Sequence, residues 1–426
     1  MNLAVKGARV YRANRFEKET LSVSDGRIVP FSATEAPSAI VDFSDRPSCL
    51  LIPGLTDVHV HFREPGFSYK ETVFSGSRSA LAGGYTAVCT MPNLNPAPDS
   101  DEGLRAQEER IAKAGLLHIY PYGCITRGSR GEELADMDVL SPRVIAFSDD
   151  GRGVQDDTMM EKAMRRAREL GKIIAAHCED ERFVGGCLHD GTYARAHGYR
   201  GIPSECEWRQ VERDLRLVAK TGCSYHVCHV SCRESVDLIR EAKRAGLDVT
   251  AETAPHYLIL CEDDIREEHA RYKMNPPLRA HSDKEALIEG VLDGTIDMIA
   301  TDHAPHSTEE KSRGFVASPM GVVGLECAFP MMYTYLVQKG ILSLEKLVEI
   351  MALAPRRRFG IEGGTEIGER ADFAVFDLES TRICRGEEFV SMGKMTPFEG
   401  MTVQGECVLT VVGGEVKYQV KVKSEE

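Results

Sequence analysis

Between residues 51 and 306 the chain repeats one pattern: an apolar run of strand length, then a stretch with helical periodicity. The runs are LIPGLTDVHVHF, YTAVCTM, LHIYPYG, RVIAFSDD, KIIAAHCE, SYHVCHVS, DVTAETAPHYL and MIATDHAPH, eight in all. Near-continuous apolar runs mark strands covered on both faces, and helices between them make successive strands parallel. In DDTMMEKAMRRARELG, residues Met160, Ala163, Met164 and Ala167 fall on one helical stripe, with Gly171 as the stop. SVDLIREAKRAG ends in the same way at Gly246. Eight strand-then-helix units predict a closed parallel (β/α)8 barrel of the TIM type over residues 51–364. A doubly wound open sheet is the alternative.

Residues 1–50 and 365–426 follow a different rule. ADFAVFDL and MTVQGECVLTVVGGEVKYQVKV alternate with period two, and Gly413–Gly414 supplies a turn, so hairpins are expected there. The two ends are expected to combine into one small β-sandwich, because the termini of a domain often lie close together. The long connection from Glu179 to Cys206 reads as a surface excursion.

Composition narrows the function. No apolar run approaches the roughly 18–20 residues of a membrane span. The start, MNLAVKGARVYRANRFEKET, turns charged too early for a signal peptide and reads as the first strands of the fold. Thirteen cysteines include Cys89, Cys124 and Cys228 inside apparent strands, and no C-x-x-C pair occurs. Free thiols in a cytoplasmic protein are expected, not a disulfide framework. A net charge of −14, from 52 basic and 66 acidic residues, argues against nucleic-acid and anionic-membrane partners.

The first barrel run ends in DVHVHFREPG. Alternate side chains of a strand point to opposite faces, so His59 and His61 share one face while Val58, Val60 and Phe62 take the other. Two inward imidazoles at the end of a barrel strand make half a metal site. The ends of other runs add ligand types: Asp149 and Asp150, His177, His226 and His229, and Asp302. Such residues at the C-terminal ends of several barrel strands form the expected catalytic arrangement. Imidazole and carboxylate donors suit zinc or a similar divalent ion. A thiolate site at Cys228 and Cys232, in HVCHVSC, is disfavoured because those donors lie nearby. Two His from the first strand, one each from the fifth and sixth, and two carboxylates exceed the needs of one ion. A pair of ions about 3.5–4 Å apart, sharing a carboxylate and a hydroxide, uses them all.

DVHVHFREPG and ATDHAPHSTEEK resemble the two signature segments of the dihydroorotases, in the amidohydrolase superfamily. GGYTAVCTMPNLNPAP, FSDDGRGVQD, AHCEDE, HVCHVS and GVVGLE are similar to the same family in order and spacing, from about residue 50 to the C-terminus, and point to its bacterial long form. The resemblance implies reversible cyclisation of N-carbamoyl-L-aspartate to L-dihydroorotate in pyrimidine synthesis. It implies one metal on His59, His61 and Asp302, and another on His177 and His229. Many superfamily members bridge the ions with a carbamylated lysine on the fourth strand. RVIAFSDD has no lysine, so the chain resembles the subset bridged by aspartate, with Asp150 in that place. Asp149, facing the other way, is expected to be a supporting or solvated carboxylate. His226 is expected to be a packed or supporting histidine, and His256 and His303 are discounted as ligands.

The metals would lower the pKa of a bound water toward about 7 for attack on the ring carbonyl. The resemblance makes Asp302 the general base, then acid, of that step. It places Arg63, Asn93 and His306 on the substrate carboxylate, beside the ligand His61. Asn275 would contact the ring, and the backbone at Met320 and Gly321 would close over it. Arg63 lies two residues beyond His61, on the same face, and its planar fork suits a carboxylate. Met320 departs from the aromatic residue more common in the family. Family members also suggest a homodimer and an association with aspartate transcarbamoylase. Hydantoinase, dihydropyrimidinase and allantoinase share the fold and metals, but usually carry the lysine and lack the arginine. A non-catalytic scaffold is the reading from outside enzymology; here every ligand position is filled.

Overall fold

The computed structural model describes residues 2–31 and 37–420. All eight expected strands are present and pair in chain order. Leu55–Val60 pairs in parallel with Tyr85–Thr90, which pairs with His118–Pro121. That third strand breaks at Tyr122 and resumes at Gly123–Cys124 beside Phe147–Ser148. Ile174–Ala176, Tyr225–Val227, Val249–Thr253 and Met298–Ile299 follow, each parallel to the one before. The ring closes where His303 bridges Val60 in parallel and His61 N donates to His303 O at 2.9 Å. Closure removes the open-sheet alternative, because the first and last strands are neighbours.

The helices cover the outside as their periodicity requires. Helix Asp157–Glu169 buries Met160, Ala163, Met164 and Ala167, and the Asp156 side chain caps it by accepting from Met159 N at 2.7 Å. Gly171 and Gly246, at φ +64° and +78°, end this helix region and that of Arg233–Arg244. Inside the ring a separate cluster joins Val58, Ala87, Ala146, Ala175, Met298 and Ala300. Val58 therefore corrects the alternation rule. It packs in this inner cluster, whereas Val60 and Phe62 belong to the outer core with Val73 and Ala80 of helix Val73–Ala82. The cause is a register shift between Asp57 and Val60, an irregularity that changes which way successive side chains point.

Strands from both ends of the chain meet in one six-stranded sheet. Its order is Glu415–Gln419, Thr402–Val412, Phe373–Ile383, Cys49–Pro53, Arg9–Arg12 and Arg15–Lys18. A four-stranded sheet, Arg27–Val29, Leu21–Ser24, Leu3–Lys6 and Ala39–Asp42, shares a core with it through Leu3, Val5, Leu51, Phe373 and Leu409. The strand Cys49–Pro53 crosses the expected boundary at 50/51 and leads directly into the first barrel strand. Gly413 and Gly414, at φ +58° and +82°, make the tight turn of the last hairpin, which needs positive φ at both positions. Met1, residues 32–36 and residues 421–426, including the end of the expected last strand, lie outside the described residues.

The connection Glu179–Cys206 carries a helix, Thr192–His197, and a two-stranded parallel piece, Leu188–His189 with Gly201–Ile202. It is more than a surface excursion: Val184, Gly185 and Ile202 line the cavity at the barrel mouth.

Candidate metal centre and anion pocket

Six of the side chains singled out in the sequence converge at the C-terminal end of the barrel, each no more than 7% exposed. Asp150 lies at their centre. Its Oδ1 is 3.3 Å from His59 Nε2, 3.6 Å from His177 Nδ1 and 3.7 Å from His229 Nε2, while Oδ2 is 3.6 Å from His61 Nε2. Asp302 Oδ1 is 3.0 Å from His61 Nε2 and 3.6 Å from His59 Nε2. His177 Nδ1 and His229 Nε2 stand 2.9 Å apart. The sets His59, His61, Asp302 and His59, Asp150, His229 each bring three donor atoms within 4.8 Å of one another. Two residues of the cluster leave their strands in the left-handed region, His229 at φ +34° and Asp302 at +47°. Such a conformation costs roughly 1–3 kcal/mol and persists where surrounding structure enforces it, commonly at functional sites.

The donor set fits a cation. His59 Nε2 and Asp150 Oδ1 are buried and have no hydrogen-bond partner among the described residues. Each such orphan costs about 1–3 kcal/mol, and a positive ion between them would satisfy both. Electrostatics agree. Burial alone would push His59 down, yet the Asp150 charge raises it well above its ordinary value. Burial would likewise raise Asp302, yet His61, with Nε2 at 3.0 Å, and the neighbouring imidazoles hold it well below the usual carboxylate range. The cluster attracts positive charge.

A further layer aims these donors. Glu252, 1% exposed, takes His59 Nδ1 on one oxygen at 2.8 Å and His226 Nε2 on the other at 3.0 Å. A carboxylate at Nδ1 keeps the ring proton there and leaves the Nε2 lone pair for a cation. Burial would raise Glu252, but its two imidazole partners pull it to about 2. His226 thus supports the centre from below, with its Nδ1 on Thr250 Oγ1 at 2.8 Å. Asp149 is buried, not solvated: it accepts from Ile125 N at 2.8 Å and from Thr126 N and Oγ1, tying down the loop after the third strand. His303 faces Glu71 at 3.5 Å. His256 is pushed down to about 4 by burial. Cys228 lies within reach of His59 and Glu252, but burial and the Glu252 charge raise its thiol to about 12, which keeps it a poor donor. Sequence reasoning missed Glu252, although a glutamate inside an apolar strand was visible. It also missed Glu179, which meets His177 Nε2 at 3.3 Å.

A cavity of about 560 Å³ opens above the cluster. Arg63, Asn93, Asn275, His306, Met320 and Gly321 all line it, together with His61. Arg63 is 9% exposed, donates through Nε to Pro305 O at 3.2 Å, and has no carboxylate within ion-pair distance among the described residues. Lys70 Nζ donates to His306 Nδ1 at 3.2 Å, so the ring proton sits on Nε2, which donates to Met320 O at 2.7 Å. Burial, then the charges of Arg63 and Lys70, pull His306 down to about 3, so the ring is a neutral donor. Nothing in the sequence marked Lys70. Asn93 accepts from His61 Nδ1 at 2.9 Å and donates to Asp150 Oδ2 at 3.3 Å, leaving one amide hydrogen for a ligand. Asn275 donates to Glu179 Oε1 at 2.7 Å.

A closed parallel barrel with imidazole and carboxylate donors converging at its mouth is the architecture of the amidohydrolases. The fold is that of the L-hydantoinase (dihydropyrimidinase) from Arthrobacter aurescens, with a TM-score of 0.86 and 28% identity over 99% of this chain and 97% of that one. The dihydropyrimidinase from Brevibacillus agri NCHU1002 shares it too, at a TM-score of 0.85 and 22% identity over 98% and 95%. A family model described as dihydro-orotase-like matches residues 48–235. The dihydroorotase of Bacillus caldolyticus is 49% identical over 388 residues, 90% of each chain, and that of Bacillus cereus (strain AH820) is 46% identical over 425 residues, 98% of this chain and 99% of that one. The chain belongs to the dihydroorotase family.

Proposed function

We propose that the chain catalyses the reversible cyclisation of N-carbamoyl-L-aspartate to L-dihydroorotate and water. The observation that carries this reading is Arg63: a buried guanidinium without a carboxylate partner among the described residues, in the same cavity as the imidazole–carboxylate cluster. Both members of the reaction keep a free carboxylate that such a fork matches in two bonds. A neutral ring, such as a hydantoin, would leave Arg63 without a counter-charge.

His59, His61 and Asp302 would hold one divalent ion and His177 and His229 a second, with Asp150 between them; the donor types favour zinc. Ions held there acidify water and polarise an amide carbonyl. Asp302, kept ionised, takes the proton of the attacking water and hands it to the departing ring nitrogen. Arg63 and the spare amide hydrogen of Asn93 grip the carboxylate, joined by the Nε2–H of His306 once it turns from Met320 O to the substrate. Asn275 and the backbone at Met320 and Gly321 orient the ring. The catalytic unit is residues 51–364, and residues 1–50 with 365–426 form the accessory β-sandwich, with the strand Cys49–Pro53 running from one into the other. All thirteen cysteines are free and buried, which supports a reducing, cytoplasmic setting.

Absorbance-monitored hydrolysis of L-dihydroorotate, with hydantoin and allantoin as controls, tests the assignment. Turnover of dihydroorotate alone, lost on chelation and restored by zinc, is expected; preference for either control overturns it. Ring closure joins a dianion to a proton and yields a monoanion. The equilibrium should therefore move about tenfold toward the ring per unit fall in pH, between roughly pH 5.5 and 8. A ratio flat across that window rules the reaction out.

A further inference from the structure

Lys311 is 2% exposed, on the short helix Thr308–Lys311 beyond the eighth strand. A lysine so deep needs partners for three N–H groups. It finds three backbone carbonyls: Gly321 O at 2.7 Å, Lys273 O at 3.0 Å and Pro319 O at 3.1 Å. Among the described residues it makes no ion pair with a carboxylate, so its charge is spent on backbone alone. The acceptors come from the two stretches that carry the ring-facing groups, Lys273–Asn275 and Pro319–Gly321. Gly321 N also donates to Lys273 O at 3.1 Å, which joins the two stretches directly. Gly321 has φ +127°, and a Cβ there would stand 2.6 Å from Ala304 O, so that backbone has no side chain of its own to anchor it. A second buried lysine works from the other side: Lys273 Nζ donates to Val316 O at 3.1 Å.

We propose that Lys311 is a positioning residue for the substrate, a clamp that fixes the Met320–Gly321 backbone against the Asn275 segment at the distance the ring requires. The clamp rests on the reading that those three residues face the ring. It touches no substrate atom and takes no part in proton transfer. Burial draws the Lys311 amine down to about 7, and the three carbonyls oppose that by favouring the ammonium, since a neutral amine has one N–H too few.

The test uses full-length Lys311→Met and Lys311→Ala in the metal-loaded enzyme. Loss of the clamp should raise KM for L-dihydroorotate about tenfold or more, with kcat within about threefold of the parent. Deuterium exchange should quicken in peptides spanning residues 312–322 and 273–276. In Lys311→Ala, added n-propylammonium, which replaces the missing chain and its charge, should restore KM, and n-propanol should not. An unchanged KM, a fall in kcat alone, or equal rescue by the alcohol overturns the clamp. If the parent enzyme leaves dihydroorotate untouched, the assigned reaction fails on its own, and unchanged exchange in the variants then overturns the clamp separately.

Discussion

The two ends of the barrel's interior are built from the same strands and obey opposite rules. At the floor, Val58, Ala87, Ala146, Ala175, Met298 and Ala300 pack with Tyr122 and Phe359, whose rings meet edge-on at 6.4 Å. Tyr122 OH donates to Val58 O at 3.0 Å. At the mouth, two residues further along, the fifth strand offers His177 in place of Ala175 and the eighth offers Asp302 in place of Ala300. Floor residues stabilise by being removed from water. Mouth residues are removed from water as well, yet bring charge and unpaired donors with them. A fold tolerates such a layer only where the adjoining layer carries the stability.

Four substitutions break or sharpen that contrast. Asp302→Ala should lower kcat by about 10³ or more while the chain stays folded by circular dichroism; turnover surviving within a few-fold would remove Asp302 from proton transfer. Phe359→Ala at the floor should cost about 3–5 kcal/mol in denaturant unfolding, with kcat per folded molecule retained. Phe359 also lies against His226, at 5.3 Å between ring centroids. A matching fall in kcat would show that the floor acts on the mouth through His226 and Glu252, and the separation of layers would fail. Glu252→Gln should weaken metal retention about 10- to 100-fold, read as faster loss of zinc to a chelator. Metal held as firmly as before would make Glu252 a mere packing group. Tyr122→Phe should cost only about 1 kcal/mol and leave metal content and activity alone.

The legible parts were those with a local signature. The stripe Met160, Ala163, Met164, Ala167 needs only a 3.6-residue period, and it is buried as expected. The cluster of His59, His61, Asp150, His177, His229 and Asp302 was legible for a related reason. Each residue sits at the end of a recognisable strand, and a closed barrel brings strand ends to one rim. The exceptions are as instructive. Alternation placed Val58 with Val60 and Phe62, and the register shift after Asp57 moved it inward. Asp149 reads in sequence as a supporting or solvated carboxylate, and only the fold places the Ile125 and Thr126 amides on it. Lys70 and Lys311 are ordinary charged residues in sequence, and their importance comes from the atoms facing them.

Periodicity and strand-end chemistry, both short-range properties of a polymer, were enough to determine a parallel barrel with a cation-attracting rim. What only the tertiary structure decided was which groups face one another across the rim. It showed Asp150 among four imidazoles, Glu252 shared by His59 and His226, and Arg63 buried without a carboxylate among the described residues. It also turned the segment after Glu179 into a wall of the cavity. Those relations depend on residues tens to hundreds of positions apart. The free energies involved, of orphaned polar atoms and unpaired charges, do not exist until burial removes the water that would otherwise satisfy them.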